Sequence, residues 1–426
     1  MAKFRISPSA LQGSIAIPSS KSQTLRAIFF ALMAKGTSRI HKYLSSPDTY
    51  AMLRAVEMLG VKIQRTNTTL WIEGTNGKIK SPKDVIDVGN SGLVLRFIGA
   101  IASLLPTYTV ITGDSSICSL RPIQPLLSAL GCLQADARSI YSNGFAPICI
   151  KGPLMPGSTK LCGRDSQPVS ALLMTTCFLE GQSHIQVTNP GEKPWVDLTL
   201  YWLKRLGTKI EHRNHEEYWI PGKTQYEAFS YTVPGDWSSA AFPIAAALLT
   251  SSEIVLDNLD LTDHQGDKQI IHCLLLMGAN IEIDSNNKKV IIKKTKHLKG
   301  IDIDVNNFVD AIAILAVIGC FAEGKTHLYN AQIARHKESD RISAITQELK
   351  KMGANIEEKE DGLIIYPASL KAAKLYSHKD HRIAMALSVA ALVAKGTSLL
   401  DDVECIAKTY PGFINDFRQL GAKIEL

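Results

Sequence analysis

The chain of 426 residues is 45% hydrophobic and 20% charged, with 29 glycines and 18 prolines, so collagen-like and low-complexity classes are excluded and about two or three domains are expected. Its net charge of +7 is too small to indicate nucleic acid binding, but it suits acidic small-molecule substrates. The longest apolar run, at 311–322, is too short to cross a bilayer and predicts a buried helix. Because the sequence has neither a Cys-x-x-Cys pair nor a signal-peptide pattern, we expect a cytoplasmic protein with reduced cysteines.

A short sequence motif, in which Leu or Met is followed directly by Gly, recurs six times along the chain at a spacing of 68 to 76 residues. Its glycines are Gly60, Gly131, Gly207, Gly278, Gly353 and Gly421. Glycine tolerates a positive φ, so each is predicted to end a helix. In the helix before Gly353, Ile342 is predicted to face the core and Glu348 to face water. A strand is predicted after each motif, often paired with a second strand, as at 281–283 and 290–292.

Six polar clusters keep the same period, and each precedes a mostly apolar stretch. They lie at 20–22, 90–92, 165–167, 236–239, Asp310 and 380–382. Ser, Asn and Asp commonly cap helix N-termini, so each cluster is predicted to begin a buried helix. Each repeat of about 70 residues is therefore predicted to form, in order, a strand, a buried helix, a strand, an amphipathic helix and two strands. Such units bury too little surface alone, so three are predicted to pack into each of two domains, with a boundary near Pro234-Gly235.

Basic side chains gather at or near these landmarks. They are Lys21, Arg26, Arg96, Arg121, Arg335, Lys337, Arg341, Arg382 and Lys408. Taken singly, each would be interpreted as a solvated surface charge. At a helix N-terminus, however, a cation opposes the helix dipole unless an anion lies between them. The pattern therefore predicts a site for phosphate or carboxylate groups.

Motifs with a specific order and spacing run from the first repeat to the last. They are Pro18-Ser19-Ser20-Lys21-Ser22-Gln23-Thr24-Leu25-Arg26-Ala27, Gly89-Asn90-Ser91-Gly92, Arg121-Pro122, Arg335-x-Lys337-Glu338-x-Asp340-Arg341, Asp380-His381-Arg382 and Lys408-Thr409. Together they resemble the motifs of the EPSP synthase family. The resemblance implies an α/β fold of two inverse domains, each of three βαβαββ repeats with buried parallel helices. It implies domains at 20–234 and at 1–19 plus 235–426, with the active site in the cleft between them.

The resemblance also implies transfer of the enolpyruvyl group of phosphoenolpyruvate to the 5-hydroxyl of shikimate 3-phosphate by addition and elimination, with release of phosphate. The alkene carbon gains a proton while the hydroxyl loses one, so a general acid and a general base are needed. The implied catalytic residues are Asp310, Glu338, Lys21 and His381. Shikimate 3-phosphate is expected to bind Lys21, Ser22, Arg26, Ser166, Gln167, Trp195, Asp310 and Lys337. Phosphoenolpyruvate, with which glyphosate competes in this family, is expected to bind Lys21, Asn90, Gly92, Arg121, Gln167, Arg341, Arg382 and Lys408.

Neither a cofactor nor a metal is implied by the resemblance. The expected partners are the two small anionic substrates, with no nucleic acid and no membrane. Because no long exposed apolar stripe lies outside the repeats, we expect a monomer.

Four positions depart from the usual family pattern. Asp165 and Glu192 replace serines, Ile333 replaces a polar residue, and Leu93 replaces a threonine. A carboxylate repels a neighbouring phosphate unless it is protonated or turned away. The two acidic replacements are therefore expected to change how the phosphate of shikimate 3-phosphate is bound.

Two other functions stay open at this stage. UDP-N-acetylglucosamine enolpyruvyl transferases share the repeat structure and use a loop cysteine, for which Cys118 is the candidate. A catalytically weak homologue would only bind anionic metabolites, and Asp165 and Glu192 favour that alternative.

Overall fold

Helices and strands alternate along residues 2–426, the part of the chain that the computed structural model describes. These residues divide into two units. The first unit is Ser19–Val233, and the second combines the N-terminal segment up to Pro18 with Pro234–Leu426. The chain thus leaves the second unit at Pro18 and returns to it at Pro234.

The elements are numbered in chain order. The N-terminal segment forms β1 (Lys3–Ser7) and β2 (Gln12–Ala16). The strands of the first unit are β3 (Thr37–His41), β4 (Lys62–Arg65), β5 (Thr69–Glu73), β6 (Ile86–Asp87), β7 (Thr109–Thr112), β8 (Asp136–Ser139), β9 (Ile148–Lys151), β10 (Ser158–Cys162), β11 (Ser183–Thr188), β12 (Glu211–Arg213), β13 (Glu217–Ile220) and β14 (Ser230–Thr232). Its helices are α1 (Lys21–Met33), α2 (Pro47–Met58), α3 (Gly92–Ala102), α4 (Ser115–Ser119), α5 (Gln124–Cys132), α6 (Ser166–Thr176) and α7 (Lys193–Arg205).

The second unit continues after Pro234. Its further strands are β15 (Glu253–Asp257), β16 (Ile281–Asp284), β17 (Lys289–Ile292), β18 (Asp302–Asp304), β19 (Thr326–Tyr329), β20 (Asn355–Lys359), β21 (Gly362–Tyr366), β22 (Lys374–Tyr376), β23 (Ser398–Asp401) and β24 (Lys423–Glu425). Its helices are α8 (Trp237–Leu249), α9 (Gln269–Leu276), α10 (Ile312–Gly319), α11 (Arg341–Lys351), α12 (His381–Val393) and α13 (Phe413–Gln419). Short 3-10 helices lie at Gly266–Lys268, Asn306–Ala311, Gln332–His336 and Val403–Lys408.

Six four-stranded sheets share one pattern, in which a parallel pair at one edge is followed by two antiparallel neighbours. Those of the first unit have the orders β14-β3-β5-β4, β6-β7-β9-β8 and β10-β11-β13-β12. Those of the second unit have the orders β2-β15-β17-β16, β18-β19-β21-β20 and β22-β23-β1-β24. Three sheets include one strand that is distant in sequence from the other strands of the sheet, namely β14, β2 and β1. Each unit therefore contains three βαβαββ repeats, and the predicted fold class is confirmed.

The first helix of each repeat is buried along almost its whole length. In α3 all eleven residues are buried, because every side chain except that of Arg96 is apolar or absent and no face favours water. α10 is also wholly buried, as the apolar run at 311–322 predicts. Within the described residues, no helix combines the length and the apolar character needed to span a bilayer.

Five of the six polar clusters cap these buried helices as predicted. A side-chain oxygen accepts a hydrogen bond from a backbone N–H in the first turn of α1, α3, α6, α8 and α12. The capping residues are Ser20, Ser91, Asp165, Asp236 and Asp380. The sixth prediction is wrong, since Asp310 lies inside the 3-10 helix Asn306–Ala311 and the N-cap position of α10 is Ala311. Its carboxylate instead contacts two arginine side chains.

Two further predictions about helices are wrong. Gly131 does not end a helix, because α5 continues to Cys132 and Gln134 takes the positive φ instead. Glu348 does not face water, since it is only 1% exposed. Its carboxylate accepts hydrogen bonds from the backbone N–H of Tyr376, at the end of β22, and from Lys351 Nζ, so β22 covers it. The other five repeat glycines have φ between 89° and 112°, as predicted.

Candidate active site

In the first unit, Lys21 begins α1 next to a buried carboxylate. Its Nζ lies 3.7 Å from Asp48 Oδ2, and Asp48 is 3% exposed. The same oxygen accepts a hydrogen bond of 2.9 Å from Ser91 Oγ at the start of α3. Asp48 therefore links the N-terminal ends of α1 and α3, and it holds the Lys21 ammonium beside them.

Arg26 is buried one turn further along α1. Its Nε donates to Thr199 Oγ1 and its Nη2 to the Trp195 carbonyl, each at 3.0 Å. Its Nη1 donates to the Ser22 carbonyl at 3.3 Å, and its guanidinium stacks over the Phe97 ring. Burial lowers the pKa of Arg26 to about 9, which still leaves it protonated at pH 7. Arg26 thus ties α1 to α7 and orders the chain around Ser22 and Trp195.

Gly92, Arg96 and Arg121 pack closely at the start of α3. Arg121 Nη1 donates to the Asn90 carbonyl at 3.4 Å, and Arg96 donates to the carbonyls of Gly92 and Pro122. A Cβ atom on Gly92 would lie only 2.4 Å from Arg121 Nη1. The missing side chain at residue 92 is therefore what allows Arg121 to occupy this position. The Asn90 amide donates at 2.6 Å to the Asp114 carboxylate, which fixes the α4 loop.

Two carboxylates lie at the start of α6. Asp165 accepts from the Gln167 backbone N–H at 3.0 Å, and it lies 3.4 Å from Arg96 Nη2. Glu192, the residue before α7, accepts from both the backbone N–H and the hydroxyl of Ser166 at 3.2 Å each. Within the described residues, Gln167 Oε1 is buried and accepts no hydrogen bond. The N-terminal end of α6 is therefore occupied by acidic side chains of the chain itself.

In the second unit, Arg341 is the centre of a buried ionic network. Its three nitrogens donate to Asp310, Glu338 and Asp380 at 2.7 to 2.8 Å. Burial alone would lower the pKa of Arg341, but the three carboxylates raise it well above its ordinary value. Lys408 Nζ also lies 2.7 Å from Glu338, so this carboxylate contacts two cations.

Arg382 completes the network at the start of α12. Its Nη2 donates to Asp310 Oδ2 at 3.1 Å and to the Ser238 hydroxyl. Its Nε and Nη1 are buried and have no hydrogen-bond partner in the part of the chain that is described. Unsatisfied donors on a buried guanidinium are costly, and they suit an anionic ligand. This is the strongest sign of a ligand in the second unit.

The remaining predicted residues of the second unit lie close to these groups in sequence. His381 is 1% exposed, with its Nδ1 3.6 Å from Asp380 Oδ1. Ligand atoms of Glu338, Asp380 and His381 all lie within 4.8 Å of one another, which is a spacing that could hold a metal ion. Arg341 and Lys408 already contact these carboxylates, however, and their positive charges would repel a cation. Lys337 is buried, at 8% exposed.

Each unit therefore brings several predicted residues together. In the first unit, Asn90, Gly92 and Arg121 are adjacent, and Arg26 contacts both Ser22 and Trp195. In the second unit, Asp310, Glu338, Arg341, Arg382 and Lys408 form one network.

Sequence reasoning did not assign Asp48 or Ser238 to the site. Ser238 lies in a predicted cap cluster, which was the only signal available for it. Asp48 caps no buried helix, and nothing in its sequence neighbourhood pointed to Lys21.

Comparison with known proteins shows the family of the chain. The family model described as EPSP synthase (3-phosphoshikimate 1-carboxyvinyltransferase) matches residues 6–417. A 3-phosphoshikimate 1-carboxyvinyltransferase of Chlamydia caviae is 45% identical, over 100% of this chain and 95% of the relative. The enzyme of that name from Ruminiclostridium cellulolyticum is 43% identical, over 99% of both chains. The solved structure of EPSP synthase from Acinetobacter baumannii superposes with a TM-score of 0.82 at 28% identity, again over 99% of both chains. With its repeats, its motifs and its full length matched, this chain belongs to the EPSP synthase family.

Proposed function

We propose that this protein transfers the enolpyruvyl group of phosphoenolpyruvate to the 5-hydroxyl of shikimate 3-phosphate and releases phosphate. Membership of the family and the shared name of its full-length relatives support this proposal. The structural observation that carries it is Arg382, whose Nη2 donates to the Asp310 carboxylate while its Nε and Nη1 are buried without a hydrogen-bond partner among the described residues. An anion-binding group and a base in direct contact are what this reaction requires of one site.

In the second unit, we propose that Arg341, Arg382 and Lys408 bind phosphoenolpyruvate and that Asp310 accepts the proton of the 5-hydroxyl. The hydroxyl oxygen bonds to the central alkene carbon while the terminal carbon gains a proton. The methyl group formed in this way then loses a proton and the central carbon loses phosphate, which restores the double bond. The proposed acids and bases for the terminal carbon are Glu338 and Lys21. His381, which has a ring nitrogen within 4.8 Å of a Glu338 carboxylate oxygen, is proposed as a further catalytic residue, and Lys337 is proposed to bind the acceptor.

In the first unit, we propose that Lys21, Ser22, Ser166, Gln167 and Trp195 bind shikimate 3-phosphate. Asn90, Gly92 and Arg121, with Lys21 and Gln167, are proposed to bind phosphoenolpyruvate, and glyphosate in its place. Arg26 donates from all three of its nitrogens to protein oxygens, so its proposed role is to position Ser22 and Trp195.

The proposal includes a monomeric enzyme that acts in the cytoplasm without a nucleic acid or membrane partner. Asp310, Glu338 and Arg341 lie in one network, and this favours a catalyst over a protein that only binds anionic metabolites.

The purified protein should release phosphate when it is given shikimate 3-phosphate and phosphoenolpyruvate together, and not with either alone. The measurement is a continuous phosphate assay with each substrate omitted in turn. UDP-N-acetylglucosamine replaces shikimate 3-phosphate in a parallel reaction. Turnover with the nucleotide sugar but not with shikimate 3-phosphate would identify the other enolpyruvyl transferase, and turnover with neither would leave only a binding protein.

Gly92→Ala should raise the KM for phosphoenolpyruvate by about tenfold or more, because the new methyl group would displace the Arg121 guanidinium. The estimate corresponds to loss of one charge-assisted contact, about 1.5–3 kcal/mol. Gly131→Ala is the matched control, since it lies inside α5 with open space around its Cβ position. An unchanged KM in Gly92→Ala would mean that Arg121 does not bind this substrate.

A further inference from the structure

The side chain of Glu192 is buried against the start of α6. The residue is 3% exposed, and its Oε2 lies 3.2 Å from both the backbone nitrogen and the hydroxyl oxygen of Ser166. These are the two donors that Ser166 can offer to an oxyanion. In the proposed function the same two donors serve shikimate 3-phosphate. A carboxylate of the chain therefore occupies donors that the acceptor substrate needs.

The backbone around Glu192 cannot easily retreat. The Gly191 N–H donates to the Gly163 carbonyl at 2.9 Å, and a Cβ atom on Gly191 would lie 2.8 Å from the Arg164 carbonyl oxygen. Glu192 itself has φ 46°, a left-handed conformation that a non-glycine residue keeps only when its surroundings impose it. The loop is thus held against the loop before α6, and only the glutamate side chain is left to rotate.

We infer that Glu192 is an internal competitor of the acceptor phosphate and sets the affinity and selectivity of this enzyme for phosphorylated acceptors. The inference rests on the proposed function. A phosphate and a carboxylate repel each other and cannot share the two donors of Ser166, so Glu192 turns away when the phosphate binds. Asp165 does not compete for these donors, because it bonds the N–H of Gln167.

The competition applies only to ligands that carry the phosphate. Shikimate lacks this group, and it binds without displacing Glu192. Shikimate 3-phosphate therefore gains less affinity over shikimate in this protein than it would if the Ser166 donors were not occupied by Glu192. Removing the negative charge of Glu192 should raise that gain, whereas a general loosening of the loop would weaken both ligands alike.

The test compares Glu192→Gln and Glu192→Ser with the wild-type protein by titration calorimetry. Glutamine keeps the size of the side chain and removes its charge, and serine also opens space. We expect the Kd for shikimate 3-phosphate to fall by about tenfold or more in both variants, as for removal of a like charge from a buried anion site. The Kd for shikimate should stay within about twofold. Glu180→Gln is the control, because Glu180 is 89% exposed.

The outcomes separate this inference from the proposed function. Wild-type turnover with an unchanged or weaker Kd for shikimate 3-phosphate in Glu192→Gln would overturn the inference alone, since Glu192 would then assist the acceptor. Equal tightening of shikimate would also overturn it. A wild-type protein that neither binds shikimate 3-phosphate nor releases phosphate would overturn the proposed function, and the inference with it. A melting temperature for each variant shows whether its fold is kept.

Discussion

Asp310→Asn is expected to lower kcat by about 100-fold or more, because it removes the group proposed to accept the hydroxyl proton. The wild-type carboxylate accepts from Arg341 at 2.7 Å through one oxygen and from Arg382 at 3.1 Å through the other. Asparagine offers only one oxygen, so one arginine would face an NH₂ group. The measurement is phosphate release at saturating concentrations of both substrates.

The control for Asp310→Asn is Asp302→Asn, which removes a carboxylate that is 63% exposed in the same unit. Its kcat should match that of the wild type. The affinity of Asp310→Asn for phosphoenolpyruvate should change by less than its kcat, since Arg341 and Arg382 remain. Near-normal turnover in a folded Asp310→Asn protein would assign the base to another residue.

The repeat and its helix ends could be predicted from the sequence because they depend on local chemistry. A glycine with positive φ or a polar cap affects the backbone only within a few residues of its own position. The helix end at Gly60 and the helix cap at Ser91 could therefore be predicted without a structure. The all-round apolar character of α3 and α10 is local as well. These signals, repeated along the chain, predicted two domains of three repeats each, and the family resemblance supplied the rest of the fold class.

The sequence could not predict which side chains meet across distant elements. Asp310 resembled a cap, but residues 31 and 72 positions away in sequence bond its carboxylate. Glu348 looked exposed on an amphipathic helix, because the strand residue that bonds its carboxylate, Tyr376, lies 28 residues later. The contact of Glu192 with Ser166 spans 26 residues and depends on the close approach of two loops. In each case the partner is set by packing that no local pattern encodes.

The family motifs predicted the cations of the candidate site, but not what holds them in place. Arg341 shows the reason. A motif records that an arginine is present, whereas its three carboxylate partners come from separate segments of the second unit.

Arg341→Met should destabilise the protein by about 3–5 kcal/mol, because it leaves the buried carboxylates of Glu338 and Asp380 and the partly exposed one of Asp310 without their shared cation. For a unit of this size the loss corresponds to a fall in melting temperature of about 6–20 °C. Methionine keeps most of the volume of the arginine stem, so the effect reports on charge more than on a cavity. Turnover should fall as well, since Arg341 is proposed to bind phosphoenolpyruvate.

The matched control is Arg335→Met, six residues earlier. Arg335 also bonds two carboxylates, Asp340 at 2.7 Å and Glu358 at 2.9 Å, but its side chain is 23% exposed and water can replace the pair. Its loss should cost about 1 kcal/mol or less. If Arg341→Met melts within a degree or two of Arg335→Met at pH 7, the buried network contributes little to stability, and its cations would then serve ligand binding alone.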